Sequence, residues 1–451
     1  MSKLQELIES LCPDGVEFKP LGELGTFFGG LTGKSKDDFK DGNAKFITYV
    51  NIYTNPALNI DVNDFVKVYE KEKQNRIQKG DILFTGSSET PNECGFTSVV
   101  TSEVSEPIYL NSFCFGLRLS NPTLFNLDFL KHILRSEELR KQIGKTASGV
   151  TRFNVSKARL SKVVLPIPPI EVQDEIAKIL DRFADYAAEL QAELQARKEQ
   201  YEYYRNLLLT FNPSACGCGT DGEQEIKVTT WGGHSYEIYW KTMEDVFDMR
   251  NGYTPSKNNP MFWDGGTIPW FRMEDIRDFG RILSDSYQHI TPAAIKGKGL
   301  FEKNSFILAT TATIGEHAML IADSLANQRF TNLKVRKSLD DKLVPKFIYY
   351  YMFIVDEFCK NNTNVSGFAS VDMGKLKKMQ FPIPPIELQE KIVAVLDRFE
   401  TLVNDFTHGL PAEIAAVKEQ YEYYRNRLLA FNRRVATCGD RNKIDRNKVD
   451  R

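Results

Sequence analysis

The strongest constraint on how this chain folds is that it contains itself twice. Residues 166 to 183 read PIPPIEVQDEIAKILDRF and residues 382 to 399 read PIPPIELQEKIVAVLDRF, identical at 12 of 18 positions. Lys198 to Asn212 (KEQYEYYRNLLLTFN) and Lys418 to Asn432 (KEQYEYYRNRLLAFN) agree at 13 of 15. The register offset grows from 216 to 220 between the two pairs, so the second copy carries a four-residue insertion. Fainter echoes precede these blocks. Gly30-Leu31-Thr32 answers Gly252-Tyr253-Thr254, and Ser148-Gly149 answers Ser366-Gly367. A repeat of this period fixes the organisation before any secondary structure is assigned. Long variable segments alternate with short constant ones, as a duplicated unit would leave them.

The constant segments predict helices. In the first, Ile176, Leu180, Phe183, Ala187, Leu190, Leu194, Arg197, Tyr201, Tyr204, Leu208 and Phe211 fall at alternating steps of four and three, a heptad seam that asks for a partner helix. Pro-Ile-Pro-Pro blocks helix upstream, so the helix starts near Glu171. In the second, the four-residue insertion is a stutter holding Gly409 and Pro411, which predicts a break near 409–411. The simplest partner for each helix is the other. Ala187-Ala188-Glu189-Leu190 and Gln191-Ala192-Glu193-Leu194 form a tandem tetrad whose copy number can change without disturbing either end.

The variable segments lack sustained helical periodicity and show short strand-like runs at 45–52, 81–84, 113–119, 267–271, 305–308 and 333–336, with helical stretches at 128–144 and 346–361. The fold class is α+β. The boundaries read as a first domain at 1–165, a central helix at 166–212, a linker at 213–230, a second domain at 231–381, a C-terminal helix at 382–432 and a disordered basic tail at 433–451.

Composition excludes several classes. A mean hydropathy of -0.36 and the lack of an apolar run near 18 residues argue against a membrane span, and Met1 to Leu11 lacks a signal-peptide core. Seven scattered cysteines make poor disulfide material, which points to a reducing cytoplasm. A net charge of -2 confines any attraction to nucleic acid to local patches. Catalytic motifs are missing. Gly33-Lys34-Ser35 invites a phosphate-loop reading, but Phe28 stands where that motif needs glycine. Cys216-Gly217-Cys218 has no matching Cys or His pair at zinc spacing.

Binding is what remains. Arg135, Arg140, Lys141, Lys145, Arg152, Lys157, Arg159 and Lys162 meet only Glu137 and Glu138 between 134 and 162, and Arg329, Lys334, Arg336, Lys337, Lys375, Lys377 and Lys378 echo this strip. Such strips suit phosphate contact. Polar loops at Thr85 to Thr90, Thr310 to Thr313 and Asn327 to Arg329 supply donors and acceptors of the kind that read base edges. The expected DNA-facing set is Lys34, Thr85, Ser87, Ser88, Thr90, Lys145, Ser148, Thr151 and Arg152 in the first domain. In the second it is Lys257, Arg272, Thr310, Thr311, Thr313, Asn327, Gln328, Arg329 and Ser366. Tyr203, Arg205, Tyr423 and Arg425 repeat identically although they lie off the seam, which marks them as exposed partner contacts.

Two unlike domains alternating with two near-identical helices, the PIPPIE and KEQYEYYRN blocks, the Ala-Glu-Leu tetrads and the Gly252-Tyr253-Thr254-Pro255-Ser256-Lys257 string resemble the specificity (S) subunits of type I restriction-modification systems. The likeness covers nearly all of Met1 to Asn432. It implies two target-recognition domains, each reading half of a bipartite, asymmetric double-stranded DNA site. An antiparallel coiled coil with a pseudo-two-fold repeat would hold them apart. It further implies two modification (methyltransferase) subunits carrying S-adenosylmethionine and restriction subunits using ATP and Mg, with no catalysis or cofactor in this chain. A helix of about 40 residues spans ~60 Å, enough to set two domains over successive major grooves. An anti-restriction or orphan DNA-binding protein would share the fold, and co-purification with a methyltransferase separates the two. A coiled-coil scaffold binding only proteins would show no salt-dependent DNA affinity.

Overall fold

A computed structural model describes residues 3–211, 226–297, 299–364, 369–405 and 408–433. Among its helices, those that join the variable and constant segments are α1 (Leu127–Ile133), α2 (Glu137–Gly144), α3 (Ile170–Leu209), α4 (Pro345–Asn361), α5 (Ile386–Asn404) and α6 (Leu410–Leu428). The chain divides into two compact units, one built from residues up to 191 together with those from 413 on, the other from 192–412.

The first unit is organised by an antiparallel sheet in the order Gly25–Gly29, Cys114–Leu119, Ile82–Thr85, Thr97–Val99. All four residues of Ile82–Thr85 are buried, because both faces of this strand are covered. Side chains alternate across a strand. Ile82 and Phe84 therefore join a core with Phe129, Ile133, Leu139 and Ile143, whereas Leu83 joins a second core with Ile47, Ile52 and Leu110. The second unit repeats the plan with five strands, Phe247–Asn251, Phe330–Val335, Ser305–Ala309, His317–Leu320 and Ile282–Leu283. Matching hydrogen bonds mark the repeat: Leu31 N donates to Leu110 O at 2.7 Å, and Tyr253 N to Ala326 O at 2.9 Å.

Local chemistry revises several expected elements. The strand expected over 45–52 ends at Ile47, because Thr48 caps a helix over Tyr49–Thr54 by accepting from Asn51 N at 3.4 Å. The helix expected over 128–144 is two, since Ser136 caps α2. Residues 226–230, assigned to the linker, form a strand with 234–242. The remainder of that linker and the tail beyond Arg433 lie outside the described residues. Helix α5 ends at Asn404 and α6 begins at Leu410, with Gly409 N donating to Asp405 O at 3.0 Å and Pro411 in the first turn of α6.

Each unit exchanges constant segments with the other copy. In the first, the early turns of α3 pack with α6 and the residues that follow it: Val172, Ile176, Ala177 and Leu180 share a core with Tyr421, Leu429 and Phe431. In the second, the late turns of α3 meet α5, where Tyr201 and Tyr204 lie 6.4 and 5.8 Å from the Phe399 ring. So the KEQYEYYRN block that follows the first domain completes the second unit, and the block that follows the second completes the first.

The Gln of each PIPPIE-x-Q motif explains why it repeats. Gln173 is fully buried, accepts from Asn126 N at 2.9 Å, and donates to Leu124 O at 2.9 Å and Pro168 O at 2.8 Å. Gln389 accepts from Val344 N at 2.8 Å and donates to Lys342 O at 2.8 Å and Pro384 O at 2.7 Å. One side chain thus satisfies backbone groups at the start of α1 or α4 and at the Pro-Pro bend, fastening variable domain to constant helix.

Candidate nucleic-acid interface

In the first domain, Ser87–Ser88 forms a strand with Phe153–Val155, which pairs in turn with Ala147–Ser148. Residues 148–152 are the hairpin tip, and Gly149 (φ 155°) is required there because a Cβ would sit 1.9 Å from Arg152 O. Gly86 permits a similar approach in the neighbouring strand. Its N donates to Phe113 O at 2.8 Å, and a Cβ would lie 2.5 Å from that oxygen. Beside these strands lies a cleft of ≈ 540 Å³ lined by Tyr49, Tyr53, Ser87, Ser88, Glu89, Glu93, Phe113, Thr151 and Arg152.

The polar groups of the cleft are held in place. Glu93 accepts from Ser88 Oγ (3.2 Å), Thr90 Oγ1 (3.0 Å) and Tyr53 OH (3.3 Å). Tyr49 OH donates to Ser87 O at 2.9 Å, and burial pushes its phenol pKa up. Arg152 is exposed, donates from Nε to Ser87 Oγ at 3.2 Å, and sets its guanidinium 5.5 Å from the Phe113 ring centre. Ser87, Ser88, Thr90, Ser148, Thr151 and Arg152 are therefore brought to one edge of the domain, with Lys145 exposed three residues before the hairpin.

The second domain rebuilds this edge with other side chains. Thr310 N donates to Arg329 O at 2.9 Å, matching Gly86 and Phe113, and Thr311 bridges to Ser370. Thr254 Oγ1 donates to Gln328 Oε1 at 2.5 Å, while Asn327 N bonds Phe271 O at 3.0 Å, next to Arg272. Gln328 and Arg329 are exposed, Thr311, Thr313 and Asn327 half-buried, and Lys257 is exposed on its own loop. Ser366 lies outside the described residues.

Several expected contacts are buried or already engaged within the protein. Lys34 pairs with Glu72 and donates to Lys67 O at 2.6 Å, with only 3% of its side chain exposed. Thr85 is fully buried and accepts from Phe96 N at 2.9 Å. Thr310 is buried, with its hydroxyl 3.2 Å from that of Thr331. Arg272 is half-buried and pairs with Glu274 at 3.0 Å. The basic strip also loses its two leading members. Arg135 donates to Thr97 O and Ile52 O, Arg140 to the carbonyls of Asn92, Cys94 and Gly95, and both lie over the Phe96 ring. Burial pushes each guanidinium pKa down to about 10. They are internal clamps on the segment that carries Glu93. Lys145, Lys157, Arg159 and Lys162 stay exposed or half-exposed.

On the constant helices, Tyr203 and Tyr423 are 63% and 56% exposed. Arg205 and Arg425, expected to be exposed, are half-buried: Arg205 covers the rings of Tyr201 (5.3 Å) and Phe353 (4.1 Å), and Arg425 covers Tyr421 (5.3 Å). Sequence reasoning missed Tyr49, Tyr53, Glu93 and Phe113. A signal for Phe113 was available, because the constant-block offset of 216 carries Asn327-Gln328-Arg329 onto Asn111-Ser112-Phe113. Both asparagines accept from the backbone two residues on, at 2.9 and 2.8 Å.

The family model for the type I restriction modification DNA specificity domain matches residues 13–199 and again 238–416. The type I restriction enzyme EcoprrI specificity subunit of Escherichia coli is 48% identical over 202 residues, 43% of this chain and 50% of that protein. The EcoR124I/EcoR124II specificity subunit of Escherichia coli is 34% identical over 291 residues, 61% of this chain and 65% of that one. The chain thus matches about half to two thirds of these relatives' length. A chain solved in work on complex assembly and conformational transition of the type I R-M system shares the fold, with a TM-score of 0.61 at 17% identity over 92% of this chain and 98% of that one. With two copies of the domain, each carrying its repeated Gln bracket and polar edge, the chain belongs to the type I restriction modification DNA specificity family.

Proposed function

We propose that this chain is the DNA-recognition subunit of a type I restriction-modification complex. Residues 1–165 and 231–381 are its two target-recognition domains, each reading one half of a bipartite, asymmetric double-stranded site. Helix α3 and the α5/α6 pair form the antiparallel coiled coil that spaces them. Within the first unit, Phe183 meets Tyr424 and Tyr186 donates to Glu413 at 2.7 Å, so numbers rise along α3 as they fall along α6. The chain works in the cytoplasm and contributes no catalytic group. Two modification subunits carry S-adenosylmethionine, restriction subunits use ATP and Mg, and both dock on it. Tyr203 and Tyr423 are the exposed anchors for the modification subunits, and Arg205 and Arg425 support the helix faces beneath them.

The observation that carries this reading is the pair of equivalent polar edges. The same backbone frame presents Ser87, Ser88, Phe113 and Arg152 in one domain and Thr311, Gln328 and Arg329 in the other. One frame with two side-chain sets is what reading two different half-sites requires. Co-expression with modification subunits, sizing and methylation mapping test it. The expected result is a two-to-one complex that methylates a bipartite target, and replacing Tyr203 and Tyr423 with Ala dissociates it. A chain that assembles with no methyltransferase, or a complex that methylates without sequence preference, rejects the reading.

A further inference from the structure

We infer that Arg152 reads a guanine in the first half-site, and that Ser87 and Phe113 are the positioning residues that aim it. This rests on the function proposed above and assigns the chemistry of one contact within it. Arg152 stands at the tip of the 148–152 hairpin, on the rim of the ≈ 540 Å³ cleft. Its guanidinium is held by two contacts: Nε donates to Ser87 Oγ at 3.2 Å, and Cζ lies over the Phe113 ring, 5.5 Å from its centre. Ser87 is itself fixed, because it is 6% exposed and its carbonyl accepts from Tyr49 OH at 2.9 Å. Among the described residues, no carboxylate pairs with Arg152 and neither Nη atom has a protein acceptor.

Charge alone is enough to hold a phosphate, and Lys145, Lys157 and Lys162 provide it as ammonium groups at the surface. Arg152 is held differently. With Nε tied back to the protein, the two Nη atoms remain as a fork of donors without a protein acceptor among the described residues. Such a fork matches the O6 and N7 acceptors of guanine in the major groove, the commonest specific arginine contact. The cation–π contact with Phe113 and the Ser87 bond restrict the rotamers in advance, which lowers the ordering cost of binding. Thr311 and Arg329 occupy the equivalent frame positions in the second domain, so the inference concerns only the first half-site.

The test uses the full complex with its modification subunits, in competition binding against duplexes varied one base pair at a time across the methylation-mapped target. For the unaltered chain, one G·C pair in the first half-site should be preferred over its alternatives by about five-fold to 150-fold. Arg152→Ala should abolish that preference and leave every position of the second half-site discriminated as before, which also shows that the variant is folded. Arg152→Lys should restore binding strength without the preference. Ser87→Ala should weaken the preference at the same pair and no other. Uniform weakening across all sequences would mean a phosphate contact and overturn the inference. So would a first half-site without a G·C pair, or a preference untouched by Arg152→Ala. If the unaltered complex has no bipartite target, the functional reading falls and this inference falls with it.

Discussion

The ring of Phe183 stacks on that of Tyr424, with centroids 5.3 Å apart and planes inclined by 22°, and the repeat reproduces the pair as Phe399 on Tyr204 at 5.8 Å and 23°. Each pair joins one copy's PIPPIE helix to the other copy's KEQYEYYRN block. Double-mutant cycles in denaturant should therefore give a coupling of about 0.5–1.5 kcal/mol for Phe183→Ala with Tyr424→Ala. Phe183→Ala with Tyr204→Ala, two residues of one helix far beyond contact range, should be additive within about 0.5 kcal/mol. Coupling within a copy and none between copies would contradict the exchange.

The buried glutamines give a second prediction. Gln173→Leu strands Asn126 N, Leu124 O and Pro168 O away from water, and Gln389→Leu does the same to its three partners. Each lost partner costs about 1–3 kcal/mol, so either variant should lose about 3 kcal/mol or more. A denaturation midpoint within error of the parent would show that the bracket carries no stability.

These two sets separate what sequence reveals from what it hides. Phe183, Tyr204 and the glutamines stood out because constraint on both copies kept them in register across 216 to 220 positions. The helix over Tyr49–Thr54 was hidden because Val50, Ile52 and Tyr53 carry strand propensity and only the Thr48 cap decides the matter. Arg135 and Arg140 misled more deeply. In sequence they continue a basic run, whereas the fold turns both inward onto carbonyls and Phe96. Periodicity over so short a helical stretch cannot tell a clamp from a phosphate contact, since both need a long cationic side chain. Phe113 reaches the cleft through the long-range contact of its carbonyl with Gly86 N, and Glu93 through its bond to Tyr53, which local patterns do not encode.

The clamp and the surface cations should respond differently to mutation. Arg140→Ala removes the donors to three carbonyls and should cost about 2–4 kcal/mol of stability. Its effect on the salt dependence of DNA binding should be small. Lys145→Ala and Lys157→Ala should leave stability within about 0.5 kcal/mol and each lower the slope of log affinity against log salt by about 0.9. Titrations at several salt concentrations beside thermal melts decide it. An Arg140→Ala protein that melts normally and loses salt dependence would reverse the assignment.

His132 predicts a pH response in the first unit. Its Nε2 lies 2.7 Å from Asp181 Oδ1 on α3 and its Nδ1 2.9 Å from Tyr421 OH on α6, with Lys131 and Asp128 beside it on α1. Burial holds the imidazole pKa below its ordinary 6.5, against the pull of Asp181. The folded state therefore keeps the ring neutral while the unfolded chain takes up a proton first as pH falls. Stability is present above the unfolded pKa and is lost as pH drops through about 6.5 toward the folded value. The thermal midpoint should fall between about pH 7.5 and 5.5, which brackets that value, and His132→Gln should flatten that slope. Equal slopes in both proteins would remove His132 as the cause.

The tetrads at Ala187 to Leu194 straddle the point where α3 passes from the first unit to the second, between Gln191 and Ala192. Adding one more Gln-Ala-Glu-Leu after Leu194 lengthens the helix by ~6 Å and turns its far end by ~400°, a net ~40°. One base pair turns DNA by ~35°, so the rotations nearly agree. The rise does not, because a base pair advances only ~3.4 Å, and the remaining few ångströms must be taken up by tilt of the domains or bending of the DNA. Both half-sites should survive the insertion, with one more base pair between them. A two-residue insertion turns the far domain by ~200° and should abolish paired recognition, because one domain would face away from the groove. Methylation mapping of the two variants in the assembled complex distinguishes the outcomes. An unchanged gap in the first, or full activity in the second, would mean that the helix does not set the distance between the half-sites.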